Sequence, residues 1–267
     1  MTAVPPSGSR DATAGLCWAL AVLLVAAFAN AFPLWVWLSQ QLGAAAKILP
    51  VALTGLLVAA MLLFGRGGRR DIRWLAAGIF AALLGLALAD PDFPAKRVHV
   101  AEYAVLALVL RRALRPWFVG ADLVLAVALL GLLAGLHDEA IQGLMPSRTY
   151  GLRDILVDGL GAIAGACLVQ GLGFRDAAEQ PARWRHMPKL LLAPLAGALL
   201  LALALPGFEG GPIPPWTAAP LLAGCAACSI VPLPQDGWRG FTIALLLILA
   251  PLALYPVLSH VPPLVFR

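Results

Sequence analysis

Residues 117–137 read WFVGADLVLAVALLGLLAGLH, and Asp122 is the only carboxylate or permanent cation among them. As a helix this run would be about 30 Å long, enough to cross the hydrocarbon of a bilayer. It is apolar on every face, which a helix at the surface of a soluble domain is not. Similar runs recur on both sides of it. Of the 267 residues, 61% are hydrophobic and 12% are charged, against about 25% charged in soluble domains. The chain therefore reads as all-α, a polytopic bundle of membrane helices. No alternating pattern of about ten residues suggests a membrane barrel.

About nine spans are expected, near 14–38, 44–64, 72–89, 97–114, 117–137, 152–174, 188–206, 215–233 and 239–259. Pro33 and Pro50 are expected to kink the first two. The fourth is the weakest, because His99 and Glu102 interrupt its start. Three regions follow: a polar tail with two spans (1–71), a four-span core (72–174) and a three-span anchor region (175–267). Ala27-Phe28-Ala29 offers a weak cleavage site, but the apolar run continues to Trp37, so a retained first helix is expected.

The formal charge of +5 does not point to nucleic acid, because the basic residues cluster between apolar runs as topology signals do. Arg66, Arg69, Arg70 and Arg73 precede span three, and Arg111, Arg112 and Arg115 follow span four. Arg175, Arg183, Arg185 and Lys189 separate spans six and seven. These alternate loops all face the cytoplasm if the N-terminus is inside and the C-terminus outside. Cys17, Cys167, Cys225 and Cys228 lie in apolar segments, and Cys225-x-x-Cys228 lacks a second ligand pair, so packing is the simpler role.

That orientation gathers the polar residues on the outer face. Lys96, His99, Glu102 and Tyr103 open span four, Asp138, Glu139 and Gln142 close span five, and Arg148, Asp154 and Asp158 lead into span six. His99, Glu102 and Tyr103 share a helix face at i, i+3 and i+4, as do Asp154 and Asp158 at i and i+4. Arg148, Arg153 and Lys96 are the cations available to them. Ionisable groups near lipid cost about 2.5–3.5 kcal/mol each at a helix centre, which makes them functional candidates. Structural ion pairing is the alternative reading, and the stronger one for Arg97 and Arg153. Gly131-x-x-x-Gly135 and Gly161-x-x-x-Gly165 would let spans five and six approach closely if those faces meet.

The pattern Lys96-x-x-His99-x-x-Glu102-Tyr103, then Asp138-Glu139-x-x-Gln142-x-x-x-Pro146-x-Arg148 and Asp154-x-x-x-Asp158-x-x-Gly161, resembles the VanZ-like family. The likeness covers about residues 72–170. It implies a bacterial integral membrane protein of the cytoplasmic membrane, in a family linked to resistance to the glycopeptide teicoplanin. Ile141 stands where many relatives carry histidine, and His137 is the nearest substitute.

Three functions are compatible with these residues. The first is binding of a cell-envelope lipid or glycolipid headgroup, with Lys96 and Arg148 on phosphate and Tyr103, Glu139 and Gln142 on hydroxyls. The second is an enzyme on a lipid-linked substrate, with His99, Glu102, Glu139 and Asp158 as candidate acid/base residues. The third is a lipid or proton-coupled transporter. No cofactor is required, although Asp138, Glu139, Asp154 and Asp158 could hold a hard divalent cation.

Overall fold

Asn30 and Ala31 interrupt the first apolar run. The computed structural model describes residues 7–65, 70–146, 148–173, 183–230, 236–262, 264 and 266–267. Helix α1 (Ser7–Ala29) stops where Asn30 Nδ2 donates to the Ala26 carbonyl at 2.8 Å, and α2 (Phe32–Leu42) leaves at a 54° bend. Pro33 lies in the first turn of α2, where its missing N–H has no intrahelical partner to lose. The bend therefore precedes the proline. Pro50 behaves likewise: it lies in the first turn of α3 (Leu49–Phe64) and starts that helix rather than kinking it.

The chain continues through α4 (Ile72–Leu88), α5 (Val98–Leu114), α6 (Gly120–Leu144) and α7 (Leu152–Gly171). Then come α8 (Leu192–Ala204), α9 (Ala219–Ile230), α10 (Asp236–Leu249) and the short α11 (Leu254–Leu258). No strand occurs among the described residues. Three helical stretches are long and apolar enough to cross a membrane: Gly120–Leu144, Lys189–Phe208 and Trp238–Leu258. The bent pair α1–α2 makes a fourth if it forms one span. Helix α6 runs past His137 to Leu144, which carries Asp138, Glu139 and Gln142 on regular helix.

Helix α7 lies among α4, α5 and α6, while α1 rests on α5 and α6, and α8 pairs with α9. Glycines set the close approaches. A methyl group at Gly165 would stand 2.4 Å from the Ala104 carbonyl, and one at Gly161 2.8 Å from that of Val100. This pair therefore faces α5. Gly131 and Gly135 instead face Ala162 and Asp158 of α7. The two glycine faces do not meet each other; each admits a different neighbour of the α5–α6–α7 core. Gly165→Ala is expected to lower stability by about 1–3 kcal/mol, the usual cost of overpacking. The melting temperature of the detergent-solubilised variant checks this.

The two ends of the core differ in chemistry. At one end the Asp71 N–H donates to Gly171 O at 2.8 Å, and Trp184 Nε1 donates to Asp122 O at 3.0 Å. Phe118, Trp184, Trp238 and Phe241 pack ring on ring there. Arg70, Arg73, Arg112, Arg115 and Arg183 belong to the connections at this end; Arg66, Arg69 and Arg175 lie outside the described residues. At the other end α5 and α7 begin and α6 finishes. Apolar side chains cover the outside, with Leu16, Phe64, Ile72, Leu199, Ile230 and Leu247 all more than half exposed. His99, Asp138, Glu139, Gln142, Asp154 and Asp158 are buried. Cys225 and Cys228 are buried and unbridged, in keeping with a packing role.

Candidate functional site

Pro94 opens a single 3-10 turn, Pro94–Arg97, that feeds α5. It sets Lys96 and His99 one turn apart against the start of α7, and the two helices run in parallel. Lys96 Nζ pairs with Asp154 Oδ2, and His99 Nδ1 lies 2.8 Å from Asp158 Oδ1. Two cation candidates three residues apart thus meet two carboxylates four residues apart. The glycine contacts hold the register, since Gly161 rests on Val100 and Tyr103 one turn further in. The like charges expected to repel on α7 are each answered from α5.

Helix α6 supplies the third wall. Asp138 Oδ1 accepts from Gln142 Nε2 at 2.8 Å, and Gln142 Oε1 accepts from the Arg148 guanidinium. Asp138 Oδ2 lies 3.4 Å from the Tyr103 hydroxyl and 3.8 Å from His99 Nδ1. The amide of Gln142 therefore links the loop arginine to the buried carboxylate. An amide is the side chain that can accept from one partner and donate to the other. Alanine at 142 would leave the buried Asp138 with fewer donors, which is costly for a carboxylate with no exposed surface.

The 145–151 loop is tied to the helices by its backbone. The Arg148 N–H donates to Met145 O at 3.2 Å, and the Gly151 N–H donates to Glu139 Oε2 at 2.8 Å. A methyl group at Gly151 would meet Asp154 Oδ2 at 2.7 Å, so a larger residue there would push the Asp154 carboxylate aside. From below, the Tyr150 N–H donates to Arg267 O and the Arg267 N–H to Gly143 O, both at 2.7 Å. Phe266 is fully buried against Gly143 and Tyr150.

The C-terminal region, read as anchor or partner surface, thus also props the site loop. The Tyr150 hydroxyl donates to Ala202 O at 2.9 Å. Burial, and after it the Glu139 charge, raises this phenol above its ordinary range. It stays protonated and keeps donating. Tyr150→Phe is expected to cost about 1 kcal/mol, the worth of one neutral hydrogen bond. A thermal melt checks this against Gly165→Ala, which should fall further.

A cavity of 230 Å³ opens beside this network. Lys96, His99, Glu102 and Arg148 line it together with Phe28, Phe32, Trp35 and Phe93. Glu102 is half-buried and has no hydrogen-bond partner among the described residues, unlike His99 and Tyr103 on the same helix. The i, i+3, i+4 trio is thereby split, two members facing the carboxylates and Glu102 facing the cavity. The Arg148 guanidinium lies 4.9 Å from the Phe32 ring centre, a cation–π distance.

The aromatic wall escaped the sequence reading. Phe28, Phe32 and Trp35 belong to the 1–71 region and stand in an apolar run with no polar flag. The Asn30–Ala31 break, followed by proline, was the available signal for a bend there.

Two polar residues next to the cluster in sequence make other contacts. His137 Nε2 lies 2.6 Å from Ile248 O and Nδ1 2.7 Å from the Tyr255 hydroxyl. The carbonyl can only accept, so Nε2 carries the proton and Nδ1 accepts from Tyr255. His137 fastens α6 to the C-terminal helices. Arg153 turns to the Leu88 and Ala89 carbonyls at the end of α4, a favourable place for a cation. The other ten residues, Lys96, His99, Glu102, Tyr103, Asp138, Glu139, Gln142, Arg148, Asp154 and Asp158, converge at one end of the core.

In comparisons with known proteins, no family model, no curated protein and no solved structure matches the chain.

Proposed function

We propose that the chain is a VanZ-like, multi-pass protein of the bacterial cytoplasmic membrane that binds the anionic headgroup of an envelope lipid or lipid-linked precursor. The observation that carries this is the cavity itself. It brings two permanent cations, Lys96 and Arg148, together with aromatic rings, at the end of a helix bundle with an apolar exterior. A phosphate meets the guanidinium fork and the ammonium, and the acyl-proximal part of the lipid meets Phe28, Phe32 and Trp35. Arg148 spends one donor direction on Gln142 and has others to offer.

About nine spans, with the N-terminus inside, accompany this reading. Arg70, Arg73, Arg112, Arg115 and Arg183 belong to the end opposite the cavity, and basic loops stay cytoplasmic. The cavity then faces outward, where envelope precursors are used. An effect on glycopeptide susceptibility would follow from precursor binding.

A second reading is favoured by one contact. His99 Nδ1 engages Asp158 at 2.8 Å beside the cavity, an orientation that suits a general base acting on a lipid-linked substrate. One titration separates the two. Purified chain is mixed with a water-soluble short-chain phosphatidic acid, heat is followed by calorimetry, and the lipid is recovered for mass analysis. Saturable binding with unchanged lipid supports the headgroup reading, conversion supports the enzyme, and absence of binding overturns both.

A further inference from the structure

His99, Glu139 and Asp158 come from three different helices and bring their donor atoms within 4.8 Å of one another. All three are buried: His99 is 5% exposed and the two carboxylates 0%. Each carboxylate satisfies one oxygen and leaves the other bare. Among the described residues, Glu139 Oε2 accepts from the Gly151 N–H while Oε1 has no partner, and Asp158 Oδ1 meets His99 while Oδ2 has none. An unpartnered carboxylate oxygen in a buried position is expensive, by about 1–3 kcal/mol or more for a charged group. Two of them beside one imidazole call for a shared positive charge.

Among the described residues neither Lys96, which pairs with Asp154, nor Arg148, which donates to Gln142, hydrogen-bonds to Glu139 or Asp158. Asp138 is held by Gln142 and Tyr103. Five carboxylates, Glu102, Asp138, Glu139, Asp154 and Asp158, therefore share the region with two permanent cations and one histidine.

We infer that His99, Glu139 and Asp158 bind one divalent transition-metal cation, in a site of one imidazole and two carboxylates. The four-carboxylate group that the sequence offered is not the donor set, because Asp138 and Asp154 are taken by other partners. Metal–ligand bonds of about 2.0–2.2 Å place neighbouring donors roughly 3 Å apart. The 2.8 Å spacing of His99 Nδ1 and Asp158 Oδ1 is close to that, and a cation would sit beside the line joining them in place of their hydrogen bond. An imidazole with two carboxylates suits manganese or zinc better than calcium, which takes oxygen ligands alone. Three protein donors leave coordination positions open for an outside oxygen. His99 also lines the cavity, so an oxygen arriving there, from a phosphate or from water, is the natural fourth ligand. The cation site stands on its own donors and goes beyond the headgroup reading; only the phosphate as fourth ligand depends on that reading.

The test uses the full chain in nanodiscs, stripped with a chelator and titrated with manganese chloride. Bound and free metal are separated by the electron paramagnetic resonance signal of the free ion. Wild type is expected to bind one Mn²⁺ per chain, with pulsed spectra showing coupling to a single imidazole nitrogen. Glu139→Gln and Asp158→Asn keep the side-chain volume and are expected to weaken binding by about 100-fold or more, beyond the 10–100-fold typical of outer-shell changes. Should either variant fail to elute as folded protein, the nitrogen coupling in wild type decides alone. Absence of stoichiometric binding, absence of that coupling, or undiminished affinity in a folded variant would overturn the site. Phosphatidic acid binding is measured on the same samples: lipid binding retained without Mn²⁺ binding removes the cation site and leaves the headgroup reading standing.

Discussion

Asp158→Ala is expected to destabilise the protein by about 3–5 kcal/mol, the range for breaking a buried charge pair from one side. Asp158 and His99 are 0% and 5% exposed, and their 2.8 Å contact joins α7 to α5. Removal leaves His99 without its close partner, facing Asp138 only at 3.8 Å. It also empties space that Gly135 vacates, since a methyl group at that glycine would stand 2.7 Å from Asp158 Oδ2. The loss is therefore electrostatic and steric together. Thermal unfolding in detergent, followed by near-ultraviolet circular dichroism, measures it. Asp158→Asn preserves shape and should lose less. Combining Asp158→Ala with His99→Gln should cost less than the sum of the two, because they share one contact. A change within about 0.5 kcal/mol for Asp158→Ala, as at an ordinary surface position, would contradict this account of the core.

Arg148→Ala is expected to weaken anionic headgroup binding by about tenfold to a hundredfold. Hydrogen bonds to a charged group contribute about 1.5–3 kcal/mol, and the guanidinium supplies more than one donor. The variant also frees Gln142 Oε1, the accepting end of the link to Asp138. Stability should change much less than binding, because Arg148 is half-buried at the loop. Arg148→Lys restores charge but not the planar fork or the stacking on Phe32, so only part of the affinity returns. Calorimetric titration with short-chain phosphatidic acid checks both variants. Equal affinity in wild type and Arg148→Ala would place the phosphate elsewhere.

The register of the site was legible because helical spacing is local. His99 and Tyr103, and Asp154 and Asp158, each at i, i+4, were assigned to single faces before any packing was known, although Glu102, grouped with the first pair, turns to the cavity. Which helix each face meets was not legible. Gly161 and Gly165 permit a close neighbour without naming it, and the neighbour is α5 rather than α6. His137 and Arg153 were drawn toward the cluster by adjacency in the chain. Consecutive helical residues point about 100° apart, so His137 departs from Asp138, and Arg153 from Asp154.

Phe28, Phe32 and Trp35 were invisible for a different reason. An aromatic residue in an apolar run looks the same facing lipid or facing a cavity. Only the bend between α1 and α2 brings those three side chains to the cavity wall.

Native mass spectrometry of the chain released from bacterial membranes tests the central claim most directly. The cavity with Lys96 and Arg148 predicts one retained anionic phospholipid or lipid-linked phosphate per chain, lost in Arg148→Ala while neutral lipids are unaffected. Retention of neutral and anionic lipids alike, unchanged by Arg148→Ala, would contradict it.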